Sequence, residues 1–281
     1  VTFPDAAFIS KSFPEISQVS LLDQGGQKIV FRGQHSTHGE VVLKFAEPDI
    51  RTEREIEAVT SFPFTFVPRI LTSGKVIHNG NYFAYLIEQF VKGESLRKVL
   101  TARHKLTLTE SVQLLTDLIE TEQQVETQNI VHRDIKPENI IAGIDGHFWL
   151  LDFGIARHLD KVSLTKTAQK FGPATVGYAA PEQLKNRKQE LDVRADLFSI
   201  GLVAFECLNG FNPFIDGARD VLEVLRRSET MQIPTLPISG DNNGDLVGFI
   251  GSLTAKPTSL RPKTAGKAME LLRGLLPSLT L

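Results

Sequence analysis

Apolar residues follow two rhythms along the chain, and the change comes near residue 92. Before it, short runs rich in Val, Ile and Phe recur between Gly, Asn and His: KIVFRG, EVVLKF, RILTSGKVI and YFAYLIEQF. Such runs, bounded by turn formers, predict antiparallel strands with turns at Ser36–Gly39 and Asn79–Gly80. One helical pattern interrupts them. Asp49 can cap a helix after Pro48, and Ile56, Val59 and Phe62 recur at helical spacing. Beyond residue 92 the patterns are mostly helical. TESVQLLTDLIETEQQV places Val112, Leu115, Ile119 and Val125 on one broad face. ADLFSIGLVAFECLNG is apolar almost all round, which predicts a buried central helix ending at Gly210. PKTAGKAMELLRGLL reads as a final amphipathic helix. The pattern predicts an α+β chain: a small strand lobe over residues 1–91, a larger helical lobe over 92–281, and a cleft between them.

Composition narrows the class. Hydrophobic residues make up 41% and charged residues 23%, the balance of an ordinary soluble globular protein. No apolar run approaches the roughly 18 residues needed to cross a bilayer. The N-terminus lacks the basic, apolar, small-residue order of a signal peptide. A net charge of −2 gives no reason to expect nucleic acid or an anionic membrane as partner. Cys207 is the only cysteine, so internal disulfides and CxxC metal sites are excluded, in keeping with a reducing, cytoplasmic setting. The sequence starts at Val1 rather than Met, as a piece excised from something longer would.

Chemistry gathers in three stretches. IVHRDIKPENII sets Asp134, Lys136 and Asn139 in a short loop containing Pro137, which fixes one backbone angle. Asp152 follows Asn139 by thirteen residues, in LLDFGIA. Two carboxylates, an amide and a lysine are the groups that bind a metal-nucleotide and orient a hydroxyl. Taken one at a time, the same residues suit a solvated loop. In EVVLKF, Lys44 lies near the end of an apolar strand, where its charge needs either a partner or a route to solvent. In LLDQGGQKIVFRG, Gly25 and Gly26 can bring backbone close to a phosphate or make an ordinary tight turn.

The complete string HRDIKPEN followed by DFG resembles the catalytic and magnesium-binding loops of eukaryotic-type (Hanks-type) serine/threonine protein kinases, with the divergent character of a bacterial member. Further signatures come in the family's order over roughly residues 20–275. ATVGYAAPE resembles the peptide-positioning segment, RADLFSIG the start of the central helix, and SLRP the segment whose Arg261 would pair with Glu182. The resemblance implies a single kinase catalytic domain over residues 1–281 that moves the γ-phosphoryl group of ATP to Ser or Thr hydroxyls of proteins. The cofactors would be ATP with Mg2+, for which Mn2+ can substitute. It implies that Asp134 accepts from the attacking hydroxyl and that Lys136 and Thr175 attend it. Asn139 and Asp152 would hold the metal. Lys44 would contact the α- and β-phosphates and pair with a glutamate of the following helix. Glu53, Glu55 and Glu57 compete for that role, with Glu55 preferred because it keeps Ile56, Val59 and Phe62 on the core side.

The sequence departs from the family in two places. The glycine-rich pattern keeps only Gly25 in register, with Gly26 beside it, so Lys28 is expected to supply charge to the phosphates. Val30 and Val42 are expected to contact the nucleotide. In YLIEQFVKGESL, Glu88 falls at the back of the adenine pocket, where it can compete for Lys44, while Gln89 and Val91 present backbone groups to adenine. Arg133 is expected to bind a phosphate on Ser163, Thr165 or Thr167, which would also be autophosphorylation sites. Two other readings share the fold: a scaffold without catalysis, which the intact Lys44, Asp134, Asn139 and Asp152 disfavour, and a small-molecule kinase, which ATVGYAAPE disfavours.

Overall fold

The computed structural model describes residues 2–25, 28–47, 64–152, 176–185 and 191–281. The chain divides into two compact units. The first comprises residues 1–92 together with Asp152, and the second comprises residues 93–151 and the chain beyond the Asp152 segment. Asp152 thus groups with the strand-rich unit, although its sequence neighbours on the N-terminal side belong to the other.

In the first unit, helix α1 (Ala6–Ser12) precedes five strands: β1 (Ile16–Gln24), β2 (Lys28–His35), β3 (Gly39–Ala46), β4 (Ile70–His78) and β5 (Asn81–Gln89). They form one antiparallel sheet in the order β1-β2-β3-β5-β4. Because side chains alternate between faces, register sorts the residues into two sets. Phe31 opposite Leu43, and Leu43 opposite Ile87, fix one face. With Ile29, Val41, Phe45 and Phe83 this face forms a core closed by Ile9 and Phe13 from the α1 segment and by Ile16. Each such burial is worth roughly 1.5–3 kcal/mol before entropy is counted. Asp5 caps α1 by accepting from the Phe8 N–H at 2.8 Å, and Phe13 meets Tyr85 edge to face at 4.9 Å. The opposite face carries Val30, Lys44 and Leu86 in register, with Val42 opposite Glu88.

The four predicted strands and both turns are present. α1 and β1 are not in the sequence pattern. β1 buries only Ile16, and its pairing with β2 is broken by two register shifts, so no alternation survives for a reader to find.

In the second unit, β6 (Gly93–Ser95), β7 (Ile140–Gly143) and β8 (Phe148–Leu150) form a small sheet beside α2 (Leu96–Arg103) and α3 (Leu108–Thr127). α3 begins with a capping box: Thr107 and Glu110 satisfy each other's backbone N–H groups. After the short α4 (Pro181–Leu184) comes the predicted central helix α5 (Val193–Asn209), buried over nearly its whole length. It stops at Gly210, which adopts φ 85° and donates its N–H to the Glu206 carbonyl at 2.7 Å. Gly201 lets α7 (Asp245–Leu253) approach α5, since a Cβ there would lie 2.9 Å from that of Leu253. α6 (Val221–Thr230) and α8 (Ala265–Leu275) complete the unit, the latter over the predicted final helix.

Candidate active site

In the first unit, four charged residues form a chain of ion pairs. Lys44 on β3 reaches Glu88 on β5 at 2.5 Å and Asp152 at 2.7 Å, and Lys28 on β2 reaches the other Asp152 oxygen at 2.6 Å. Lys44 and Glu88 are buried, at 4% and 5% exposure, so neither could stay charged without a partner. Burial pushes the Lys44 amine down, but Asp152 and Glu88 more than reverse this, and its pKa is raised. Burial likewise pushes Asp152 up, and the two lysines hold it well below the usual carboxylate range. At Glu88 burial outweighs the pull of Lys44, and its pKa is raised. Gly25 closes the β1–β2 hairpin, donating its N–H to the Lys28 carbonyl at 2.9 Å. Gln89 gives its backbone N–H to the Arg69 carbonyl at 2.9 Å.

In the second unit, the loop between α3 and β7 carries the second constellation. Lys136 donates to both Asp134 oxygens, at 3.0 and 2.9 Å. Asn139 spends its amide hydrogens on the Asp134 carbonyl at 2.8 Å and carboxylate at 2.9 Å. The Asp134 side chain is therefore aimed from two sides. The loop backbone is held just as firmly. Asp196, on the first turn of α5, accepts from the N–H groups of His132 at 2.6 Å and Arg133 at 2.8 Å. Gln183 donates to the Arg133 carbonyl at 2.9 Å. With both its peptide groups fixed, Arg133 can hold φ 68°, uncommon for a residue with a Cβ. His132 is buried, and its Nε2 lies 2.8 Å from the Leu151 carbonyl. That oxygen can only accept, so Nε2 carries the hydrogen and Nδ1 faces the Asp134 N–H at 3.3 Å.

Each unit carries an oxygen donor of the kind a hard divalent cation takes. In the second, Asn139 commits its nitrogen to Asp134, which leaves its amide oxygen as a donor atom. In the first, Asp152 offers a carboxylate. No group of three or more His, Cys, Asp or Glu that could hold a metal alone occurs among the described residues. Phosphate oxygens and waters would complete such a coordination sphere, as is usual for Mg2+.

The protein kinase domain family matches residues 17–273, which is most of the chain. The chain belongs to the protein kinase domain family. The kinase domain is 28% identical over 231 residues to a probable serine/threonine-protein kinase, pknA2, of Bifidobacterium longum, covering 82% of this chain and 29% of that protein. It is 29% identical to a probable serine/threonine-protein kinase, PknB, of Lactococcus lactis, covering 76% and 34%. A PknB of Bifidobacterium longum gives 30% identity over 195 residues, covering 68% and 28%. The chain therefore spans about a third of the length of these relatives. Protein kinases use ATP and a divalent metal. No helix among the described residues is long and apolar enough to cross a membrane.

The kinase domain joins its signature segments through buried polar contacts. Arg261 meets both Glu182 oxygens, at 2.6 and 3.1 Å, which is the pair expected from SLRP and APE. A second network lay beyond the sequence reading. Arg97 on α2 donates to Glu138 at 2.8 Å, Glu206 at 2.6 Å and the Tyr178 hydroxyl at 2.6 Å, and Tyr178 donates to Glu206. The signal for it was Glu206 itself, a carboxylate inside an otherwise apolar helical run. Ser199 donates to the Tyr178 carbonyl at 2.8 Å and is structural.

Gly26, the helix pattern with Glu53, Glu55 and Glu57, Phe153, Ser163, Thr165, Thr167 and Thr175 lie outside the described residues. Among the described residues, Glu88 is the carboxylate from the sheet that pairs with Lys44, as its register position allowed.

Proposed function

We propose that this domain transfers the γ-phosphoryl group of Mg2+-ATP to Ser or Thr hydroxyls of protein substrates. The observation that carries the reading is the aimed Asp134 carboxylate, fixed by Lys136 and Asn139 on a backbone clamped by Asp196. Asp134 accepts the hydrogen of the attacking hydroxyl and orients its oxygen. Lys136, already beside Asp134, offsets charge on the moving phosphoryl group. Lys44 holds the α- and β-phosphates, while Val30, Val42 and Leu86 offer apolar surface on the same sheet face. Asn139 and Asp152 would hold the metal, which when bound would supply Lewis-acid neutralisation of phosphate charge. Lys28 gives up Asp152 and turns to the phosphates, replacing donors that the reduced glycine pattern lacks. Catalysis here rests on positioning more than on covalent chemistry.

Control is proposed to run through Arg133, whose Nε is buried and without a partner among the described residues. A phosphate on Ser163, Thr165 or Thr167 would satisfy it. A reaction that consumes ATP belongs in the cytoplasm, and one free, buried cysteine is compatible with that setting.

The test is incubation with Mg2+ and γ-labelled ATP, with and without a generic basic protein, beside Asp134→Ala. Label on Ser or Thr that disappears in the variant is expected. Bound ATP with no transfer in the parent protein would overturn the reading.

A further inference from the structure

We propose that Glu88 is a positioning residue for Lys44, anchoring it from within the sheet. The proposal deepens the function above and rests on it for Lys44's role toward phosphate.

Glu88 and Lys44 sit on neighbouring central strands. Lys44 lies opposite Leu86, and Glu88 lies opposite Val42, so the two side chains share a face and stand diagonally adjacent. β3 is paired on both sides, with β2 and β5, and β5 with β3 and β4. Lys44 is paired on both sides, with Val30 and Leu86, and Glu88 likewise, with Val42 and Ile70, the latter beside a register shift. The Nζ–Oε1 distance is 2.5 Å, with side-chain exposures of 4% and 7%. An acid buried this deeply beside a lysine is not a surface pair formed by chance; its placement costs desolvation that the lysine offsets. Asp152 takes a second Lys44 hydrogen at 2.7 Å. An ammonium has three, and the described residues take two of them, so among these one direction is left for a phosphate oxygen.

Two carboxylates pulling from different strands or segments fix where that third hydrogen points. Without Glu88, Asp152 is the one carboxylate among the described residues that draws Lys44, and the nucleotide must compete for an ammonium committed to it. Glu88 is carried by the same sheet as Lys44, so this anchor lasts as long as the sheet does.

The test compares Glu88→Leu and Glu88→Gln with the parent protein. Thermal unfolding first confirms that each is folded. The primary readout is the affinity for a fluorescent ADP in EDTA, which needs neither metal nor turnover. Glu88→Leu should weaken binding about tenfold, whereas Glu88→Gln, which keeps an acceptor of the same size, should stay within about threefold. In turnover, Glu88→Leu should raise the KM for ATP more than it lowers kcat. Equal weakening by Leu and Gln, or unchanged binding by Leu, would overturn the proposal. Because binding is read without transfer, failure of the kinase reading would appear separately, as nucleotide binding without label.

Discussion

The pair between Arg261 and Glu182 gives the sharpest stability prediction. Arg261 is buried, and its side chain has 0% exposure. Its guanidinium donates to Glu182 twice and to the carbonyls of Ala255 at 2.7 Å, Arg194 at 2.9 Å and Lys256 at 3.1 Å. Five bonds use all five N–H groups of the fork. The Phe198 ring lies 4.7 Å from the guanidinium carbon. Replacing Glu182 by Leu strands a cation that water cannot reach, and replacing Arg261 by Met strands a carboxylate and three carbonyls. Each should cost about 3–5 kcal/mol, a large part of a domain's usual 5–15 kcal/mol. The double variant removes both charges and fills the space with apolar atoms, so it should cost less than the two singles together by about 2–3 kcal/mol. Urea unfolding followed by Trp149 fluorescence suits the test. Trp149 is the only tryptophan and lies on β8, in the unit that contains the pair. Additive costs, or a Glu182→Leu cost below about 1 kcal/mol, would show that the buried charges do not depend on each other.

Two further predictions concern buried ionisable groups. Glu122 is fully buried, neither of its oxygens has a partner among the described residues, and burial first, then the charges of Asp196 and Glu126, raises it well above its ordinary 4.5. Folding therefore favours its protonated form, so stability is full below 4.5 and declines as pH rises toward the folded value. Glu122→Leu should add about 1–3 kcal/mol at neutral pH and remove that slope; a destabilised variant in urea titration would refute it. Lys256 is pushed down to about 7 by burial and by the Arg261 cation. Its unfolded amine keeps a proton that the folded one releases, so stability should rise between pH 7 and 10.5. Lys256→Met should flatten the rise in melting temperature over that range, and an unaltered profile would refute the assignment.

What could be read from the chain follows the physics of each signal. Strands β2 to β5 and helices α3, α5 and α8 announce themselves because burial on one face imposes a period on the sequence. β1 escapes because its register shifts erase that period, and α1 because seven residues with one buried side chain show almost none. In the site, Asp134, Lys136 and Asn139 lie within one loop, so their meeting is local and legible. Contacts such as Arg97 with Glu206 join residues 109 positions apart through the fold alone, and nothing in the spacing of either announces the other. Glu88 is intermediate: its identity was conspicuous, while its partner depended on strand register.

The Asp196 clamp also sets a timetable. Asp196 lies 64 and 63 residues downstream of the two N–H groups it holds. At synthesis rates of about 5–20 residues per second, the catalytic loop leaves the ribosome seconds before the carboxylate that shapes it. In that interval nothing from α5 supports the positive φ at Arg133. Competence for the proposed phosphoryl transfer would therefore begin only when the central helix has been made and docked, so a growing chain would pass through synthesis with that chemistry switched off.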